Sequence, residues 1–229
     1  IATVRDVTDQ RQIARLKDKL VSTVSHELRT PLTAIAGALG LLENNKGGEM
    51  SEKAARLIQL ARRNTDRLIE LVNDLLDMDK LHSGRMPFRF EGHDVGALLI
   101  DAAQQNQPYA DRHGVSFSLD LPDSPVVASI DRTRMFQVLT NLISNACKFS
   151  PESSTVGLAL ERDERELTIR VTDSGPGISP EFRHRLFTRF AQEDGTHQSG
   201  HAGTGLGLAI CKAIVEAHRG KIFLNDTYK

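Results

Sequence analysis

The sequence predicts an α+β protein: a helical hairpin followed by an α/β sandwich. Two long amphipathic stripes come first, over residues 13–42 and 54–76. The Asn- and Gly-rich run at residues 44–48 separates them, and such runs break helices. After residue 88 the pattern changes to short alternating strands between helices, which is typical of a mixed sheet covered by helices.

The hairpin follows from the spacing of its apolar residues. Pro31 interrupts the first stripe and predicts a kink, because the stripe resumes beyond it. Ser51 is a good N-cap for the second helix, which we expect to end at Ser83 and Gly84. Since neither helix can bury its stripe alone, we expect an antiparallel hairpin that dimerises into a four-helix bundle. The first stripe contains Ile13, Leu16, Leu20, Val24, Leu28, Ile35, Leu39 and Leu42.

The second region predicts an alternation of helices and strands. A polar, Gly-rich stretch at residues 191–205 predicts a mobile loop. The expected helices lie near residues 94–110, 133–149, 180–187 and 206–218, and the expected strands at 115–121, 126–129, 155–162, 166–173 and 221–224.

Composition excludes several function classes. Lys and Arg total 29 against 30 Asp and Glu, which gives no electrostatic case for a nucleic-acid or membrane-surface partner. No run approaches the roughly 20 apolar residues of a membrane span. We therefore expect no nucleic-acid partner, no direct membrane contact and a cytoplasmic location, with anchoring of the full-length protein left open. Cys147 and Cys211 lie in apolar helical patterns and predict buried free thiols.

His26 lies opposite the first stripe. At a helical turn of 100° per residue it is roughly 160–200° from Val24 and Leu28, so its ring should project into solvent. A neutral imidazole nitrogen is a usable nucleophile near pH 7. The carboxylate of Glu27 could fix its tautomer, and the hydroxyl of Thr30, one turn further, could position a water. An ordinary surface histidine is the alternative.

The segment around His26 resembles a known motif. Ser-His-Glu-Leu-Arg-Thr-Pro-Leu, at residues 25–32, resembles the H-box of the sensor histidine kinases of two-component systems. The resemblance implies that His26 is the phospho-acceptor, Glu27 its acid/base partner and Thr30 a residue of the phosphatase step. Leu-Val-Asn-Asp-Leu-Leu-Asp, at residues 71–77, similarly resembles the second helix of the dimerisation and phosphotransfer domain.

Four further segments follow in the order of that family. Asn141, Asn145 and Lys148 share one helical face; an Asn amide oxygen suits Mg²⁺, and a Lys suits phosphate. Asp173 precedes two glycines at a strand end, where its carboxylate can accept a hydrogen bond from the adenine amino group. Residues 186–190 resemble the F-box. Residues 203–208 form a glycine-rich loop that enters a helix N-terminus, which favours an anion.

Each segment alone is a weak signal, since a polar helix surface or a plain turn would also explain it, but the ordered set is specific. The resemblance implies a Bergerat-type ATP fold with ATP beneath a mobile lid, and it implies Mg²⁺ held by Asn145. The implied nucleotide-binding residues are Asn141, Asn145, Lys148, Asp173, Gly175, Gly177, Gly203, Thr204, Gly205, Leu206 and Gly207.

The resemblance implies an ATP-dependent homodimer that phosphorylates its own His26 and passes the phosphoryl group to an Asp of a response regulator receiver domain, with phosphatase activity optional. Two alternatives stay open: an ATPase of the same fold, and a non-catalytic dimerisation or ATP-sensing scaffold. Such ATPases typically carry a Glu four residues before the metal Asn. That position is Asn141 here, and an amide cannot accept a proton at neutral pH.

The same reading predicts three parts of the chain. Residues 1–20 are expected to be the end of a sensor domain and a helical linker, because residues 4–8 resemble the Asp-Ile-Thr end of a PAS domain. Residues 21–87 are expected to form the dimerisation and phosphotransfer domain. Residues 88–229 are expected to form the ATP-binding domain.

Overall fold

The computed structural model describes residues 28, 32–40, 42, 51–164, 166–192 and 204–225. The chain divides into two compact units between Met86 and Pro87. Among the described helices, none is both long enough and apolar enough to cross a membrane.

The described residues of the first unit are helical except for Ser51 and residues 83–86. Residues 32–40 form helix α1, and α2 spans Glu52–His82, a helix of 31 residues. The Oγ of Ser51 accepts a hydrogen bond from the backbone N–H of Ala54 at 3.3 Å, which caps the start of α2. At the other end, the N–H of Ser83 donates to the carbonyl of Asp79. The predicted second helix and its serine cap are therefore confirmed, whereas Pro31 lies outside the described residues.

The second unit contains five strands and four helices among the described residues. In chain order these are β1 (Glu91–Asp94), α3 (Val95–Arg112), β2 (Ser116–Asp120), β3 (Val127–Ile130), α4 (Arg132–Phe149), β4 (Thr155–Arg162), β5 (Leu167–Thr172), α5 (Pro180–Arg183) and α6 (Gly207–Ala217).

The described strands form two sheets. In the larger one, β4 pairs in parallel with β2 and antiparallel with β5, so this sheet is mixed, as predicted. The smaller sheet is an antiparallel pair of β1 and β3. The β4–β5 hairpin closes where the N–H of Glu166 donates to Oδ1 of Asp163 at 2.7 Å, a turn chemistry that Asp favours.

Helices α3 and α4 cover the mixed sheet and share one core with it. The inward side chains of β4 alternate along the strand, because successive residues of a strand point to opposite faces. They pack against apolar residues of α3 and α4, and each fully buried Leu, Ile or Val contributes roughly 1.5–3 kcal/mol. The most buried members are Val95, Leu98, Leu99, Leu139, Ile143, Cys147, Val156 and Leu158. Cys147 and Cys211 are buried free thiols, as predicted.

Three local predictions were wrong or incomplete. Residues 221–225 form no strand, and Phe223 is exposed, since no described strand pairs with them. Helix α5 ends at Arg183 and is followed by turns, whereas the prediction continued it to residue 187. Strand β1 was not predicted, because its four residues, Glu-Gly-His-Asp, show no apolar alternation.

Candidate functional site

Helix α4 carries the first group of predicted site residues. The Nδ2 of Asn145 donates to Oδ1 of Asn141 at 3.0 Å, one helical turn away. This bond turns the amide NH₂ of Asn145 toward Asn141. The Oδ1 of Asn145, which is the atom that a hard cation would bind, is therefore directed away from Asn141. The carboxamide of Asn145 is held in an orientation that suits a metal ligand.

The start of α6 lies against the same residues of α4. A Cβ added to Gly207 would overlap the carboxamide of Asn141, so only glycine allows this close approach. Leu206 anchors the approach: it is 1% exposed, and its N–H donates to Oγ1 of Thr204 at 3.2 Å. The structure thus brings Gly207 to the face of α4 that carries Asn141, with Thr204 and Leu206 just before it in the chain.

The loop after β5 meets the other end of α4. The N–H of Gly175 donates to Oδ1 of Asp173 at 2.8 Å, and a Cβ on Gly175 would lie 3.0 Å from the backbone oxygen of Phe149. Gly177 has φ +78°, which residues with a Cβ rarely adopt. Asp173 is exposed at the start of this loop, so its carboxylate is accessible to a ligand.

Lys148 lies near that second contact. Its Nζ sits 5.1 Å from the centre of the Phe149 ring, a cation–π distance. The carbonyl of Phe149 is the atom that Gly175 approaches. Helix α4 therefore touches the glycine-rich helix start through Asn141 and the Asp173 loop through Phe149, with Asn145 and Lys148 between the two contacts.

The two ends of the predicted loop at residues 191–205 are close together. Gly205 has φ +70°, and a Cβ there would lie 2.9 Å from the Cα of Phe190. Phe190 itself has φ +56°, unusual for a residue with a side chain, and its side chain is 63% exposed. Residues 193–203, including the predicted ligand Gly203, lie outside the described residues.

The predicted catalytic residues His26, Glu27 and Thr30 also lie outside the described residues. The close approaches of Phe149 and Phe190 were not predicted. A backbone oxygen and a positive φ leave no mark on residue type, so no signal in the sequence pointed to them.

Asp131 was not among the predicted site residues, although an Asp directly before a helix is an N-cap signal. Burial raises the pKa of the Asp131 carboxyl, whereas the hydrogen bonds donated by the backbone N–H groups of Arg89 and Arg134, together with the nearby positive charge of Arg134, lower it. The pKa of Asp131 is therefore below its usual value. Burial also raises the pKa of the Cys147 thiol, which is typical of a structural cysteine.

Two family models match the chain. The model described as "His Kinase A (phospho-acceptor) domain" matches residues 16–84. The model described as "Histidine kinase-, DNA gyrase B-, and HSP90-like ATPase" matches residues 130–229. The chain belongs to the sensor histidine kinases.

Individual histidine kinases agree with this family. The sensor histidine kinase WalK of Bacillus subtilis (strain 168) is 38% identical over 231 residues, which are 99% of this chain and 37% of WalK. Full-length ShkA in complex with AMPPNP matches with TM-score 0.69 and 31% identity over 87% of this chain and 41% of ShkA. The Acinetobacter baumannii histidine kinase AdeS matches with TM-score 0.57 and 28% identity over 84% of this chain and 86% of AdeS.

The chain thus spans little more than a third of the length of the WalK relative, 37%. The part that it covers contains the phospho-acceptor and ATP-binding domains of a sensor histidine kinase.

Proposed function

We propose that this histidine kinase chain transfers the γ-phosphoryl group of ATP to a ring nitrogen of its own His26. The observation that carries the proposal is the arrangement around α4. One helix holds the oriented carboxamide of Asn145 and touches both the Asp173 loop and the glycine-rich start of α6. These are the three elements that an ATP molecule would have to contact together.

Each element has a chemical role in nucleotide binding. The exposed carboxylate of Asp173 accepts a hydrogen bond from the adenine amino group. Gly175, two residues further, lets the backbone approach the adenine ring. Lys148 and the N–H groups at residues 203–207 compensate the phosphate charge, because the N-terminus of a helix carries partial positive charge. Asn145 holds Mg²⁺ through Oδ1. The ion, when bound, neutralises charge that develops on the phosphates.

The acceptor side is proposed from the motif around His26. Glu27 holds the proton on one ring nitrogen, so that the other nitrogen is free to attack the γ-phosphorus; an N–P bond forms as the bond from that phosphorus to the bridging oxygen breaks, and ADP leaves. Thr30 positions a water for the reverse, phosphatase step. Most of the rate acceleration then comes from positioning and charge stabilisation, as in phosphoryl transfer generally.

We further propose that the chain works as a homodimer that passes its phosphoryl group to the Asp of a response regulator receiver domain. Leucines along α2, among them Leu57, Leu60, Leu68 and Leu75, are exposed, which supports a second copy as their cover. We also propose a cytoplasmic location, where ATP is available, and a PAS-like sensor segment that ends within residues 1–20.

Incubation with γ-labelled ATP and Mg²⁺ tests the central proposal. We expect an acid-labile, alkali-stable label on the wild-type chain, and no label on His26→Gln, which keeps the size and polarity of the side chain. His184→Gln is the matched control; this exposed histidine follows α5, and its replacement should leave labelling unchanged. Binding of AMPPNP, measured by calorimetry, should be the same in all three proteins.

The outcomes separate the alternatives. Release of phosphate without a labelled histidine would support an ATPase instead. Absence of nucleotide binding in the wild type would support the scaffold. Labelling that persists in His26→Gln would contradict the assignment of the acceptor.

A further inference from the structure

The segment that precedes β1, at the start of the ATP-binding unit, is held in place by Asp131 and His218. We call residues 87–90 the connector. The backbone N–H of Arg89 donates to Oδ2 of Asp131 at 2.8 Å. The other oxygen of Asp131, Oδ1, accepts from the N–H of Arg134 at 3.0 Å and caps α4. One buried carboxylate therefore serves both the start of α4 and the connector.

The same residue is bonded to the end of α6. The backbone N–H of Asp131 donates to Nε2 of His218 at 2.9 Å. A backbone N–H can only donate, so Nε2 carries no proton and the proton sits on Nδ1, which donates to the carbonyl of Ile214 at 2.8 Å. The ring is thus a neutral imidazole of fixed tautomer that links the C-terminus of α6 to the N-terminus of α4.

The ring of His218 also packs against the connector. Its centre lies 5.7 Å from that of Phe88 and 5.0 Å from that of Phe90, both in edge-to-face geometry. Phe88 and Phe90 stack on each other at 5.8 Å. Such aromatic pairs contribute beyond their buried area. The connector is therefore held by a backbone hydrogen bond and by two ring contacts.

The helices that meet at this point are the two that frame the nucleotide site. Helix α4 carries Asn145, and α6 begins at Gly207 against Asn141. Helix α6 has 11 residues, is roughly 16 Å long and is capped by His218, so a rigid-body shift at its glycine-rich start would also move His218. The start of α6 therefore lies at the proposed nucleotide site, and its end lies at the connector.

We propose that Asp131 and His218 form a latch that holds the connector, and that nucleotide binding at the start of α6 tightens this latch. This coupling between the nucleotide site and the latch, which we call the relay, rests on the proposed ATP function. With the site filled, α6 is seated and His218 keeps Asp131 and the connector in place. Because coupling between two sites is reciprocal, release of the connector should weaken nucleotide binding by the same factor.

Another histidine of the chain shows what a purely local role looks like. His113 also caps the C-terminus of a helix, and its Nδ1 lies 2.9 Å from the carbonyl of Tyr109, the same local pattern as in His218. Its ring stacks on Tyr109 of its own helix at 4.4 Å. His218 differs from it through its bond to Asp131 of another helix and its contacts with the connector.

Amide hydrogen exchange at Arg89, measured on the 229-residue chain with and without AMPPNP and Mg²⁺, tests the latch. In the wild type we expect exchange to slow by roughly five- to thirtyfold when nucleotide is added, the effect of about one hydrogen bond. His218→Phe keeps the ring contacts but removes the acceptor, so the nucleotide response of Arg89 should disappear. His113→Phe is the matched control and should respond like the wild type.

Asp131→Asn tests the anchor without nucleotide. Asn is a good N-cap and keeps the backbone N–H to His218, but its NH₂ cannot accept from Arg89. Exchange at Arg89 should therefore be faster than in the wild type, while the melting temperature stays within a few degrees.

The results separate the latch from the kinase proposal. If AMPPNP binds but the exchange of Arg89 does not respond, or if His218→Phe responds as the wild type does, the relay is wrong and the ATP function stands. If AMPPNP does not bind, the ATP function and the relay both fail. The hydrogen bond from Arg89 to Asp131 is tested separately, by comparing Asp131→Asn with the wild type. Equal exchange at Arg89 in these two proteins would contradict it.

Discussion

The helical unit and the ATP-binding unit bury their apolar residues to very different extents. In the ATP-binding unit, Leu99 of α3 is 0% exposed and belongs to a core shared by helices and sheet. In the helical unit, Leu68 and Leu75 of α2 are 48% and 39% exposed. Apolar side chains left in water contribute nothing to stability, so the ATP-binding unit is stabilised by its own core, whereas these leucines of α2 add nothing until they are covered.

Because of this difference, we expect the stability of the two units to depend differently on protein concentration. The ATP-binding unit should unfold at a temperature that does not depend on protein concentration. The stability of the helical unit should rise with concentration, because a second copy is the proposed cover of its leucines. Helices gain most of their stability from packing of an apolar face, so α2 depends on that cover.

The largest expected effect is on the core of the ATP-binding unit, where α3 offers two adjacent residues for comparison. Leu99→Ala should lower the free energy of unfolding by about 2–5 kcal/mol, the usual cost of a cavity at a buried Leu. Ile100→Ala, one residue further and 39% exposed, should cost less than about 1.5 kcal/mol. Urea denaturation measures both values. Equal losses would show that the core assigned to α3 is wrong.

The next largest expected effect is on dimerisation through the helical unit, and it should leave the ATP-binding unit unchanged. Leu68 and Leu75 are seven residues apart on α2 and so lie on the same face. Replacing both by Glu should weaken dimerisation roughly a hundredfold, because two charges would have to be buried at the proposed interface. Sedimentation measures the dissociation constant. A double variant that dimerises as well as the wild type would place the interface elsewhere.

A matched substitution separates added charge from lost contact. Arg63→Glu on the exposed surface of α2 also adds negative charge and should change the dissociation constant little. The affinity of the ATP-binding unit for AMPPNP should stay unchanged in both proteins, because α2 contributes none of its proposed ligands.

The elements that could be predicted from the sequence are those that their own residues determine. The period of α2 and its Ser51 cap are local, and so is the β4–β5 hairpin with its turn at Asp163. The predicted strand at 221–224 was wrong, because an apolar alternation becomes a strand only when another strand pairs with it. Strand β1 carries no alternation and owes its conformation to β3.

The candidate site shows the same difference between features that follow from local sequence and features that depend on packing. The positions of Asn141, Asn145 and Lys148 on one face follow from helical spacing alone. The contact of Asn141 with Gly207 depends on how α4 and α6 pack, which residue types do not encode. The latch was missed for the same reason, since it joins residues that are far apart in the chain.

The smallest expected effect compares one glycine of each unit. Gly207→Ala would place a methyl group against the carboxamide of Asn141 and displace the start of α6, so affinity for AMPPNP should fall roughly tenfold, the effect of a modest overpacking strain. Gly37→Ala in α1 meets nothing within 4 Å, and alanine favours a helix, so affinity should not change. Calorimetry measures both constants.

A third variant identifies the cause of the loss at Gly207. Asn141→Ser, combined with Gly207→Ala, shortens the opposing side chain and removes the overlap, but it also removes the amide that orients Asn145. The double variant should therefore recover the melting temperature of the wild type while its Mg²⁺-dependent affinity stays low. Full recovery of affinity would show that Asn141 only makes room for α6 and does not orient Asn145. An affinity loss in Gly207→Ala without any change in stability would instead place Gly207 in direct contact with the nucleotide.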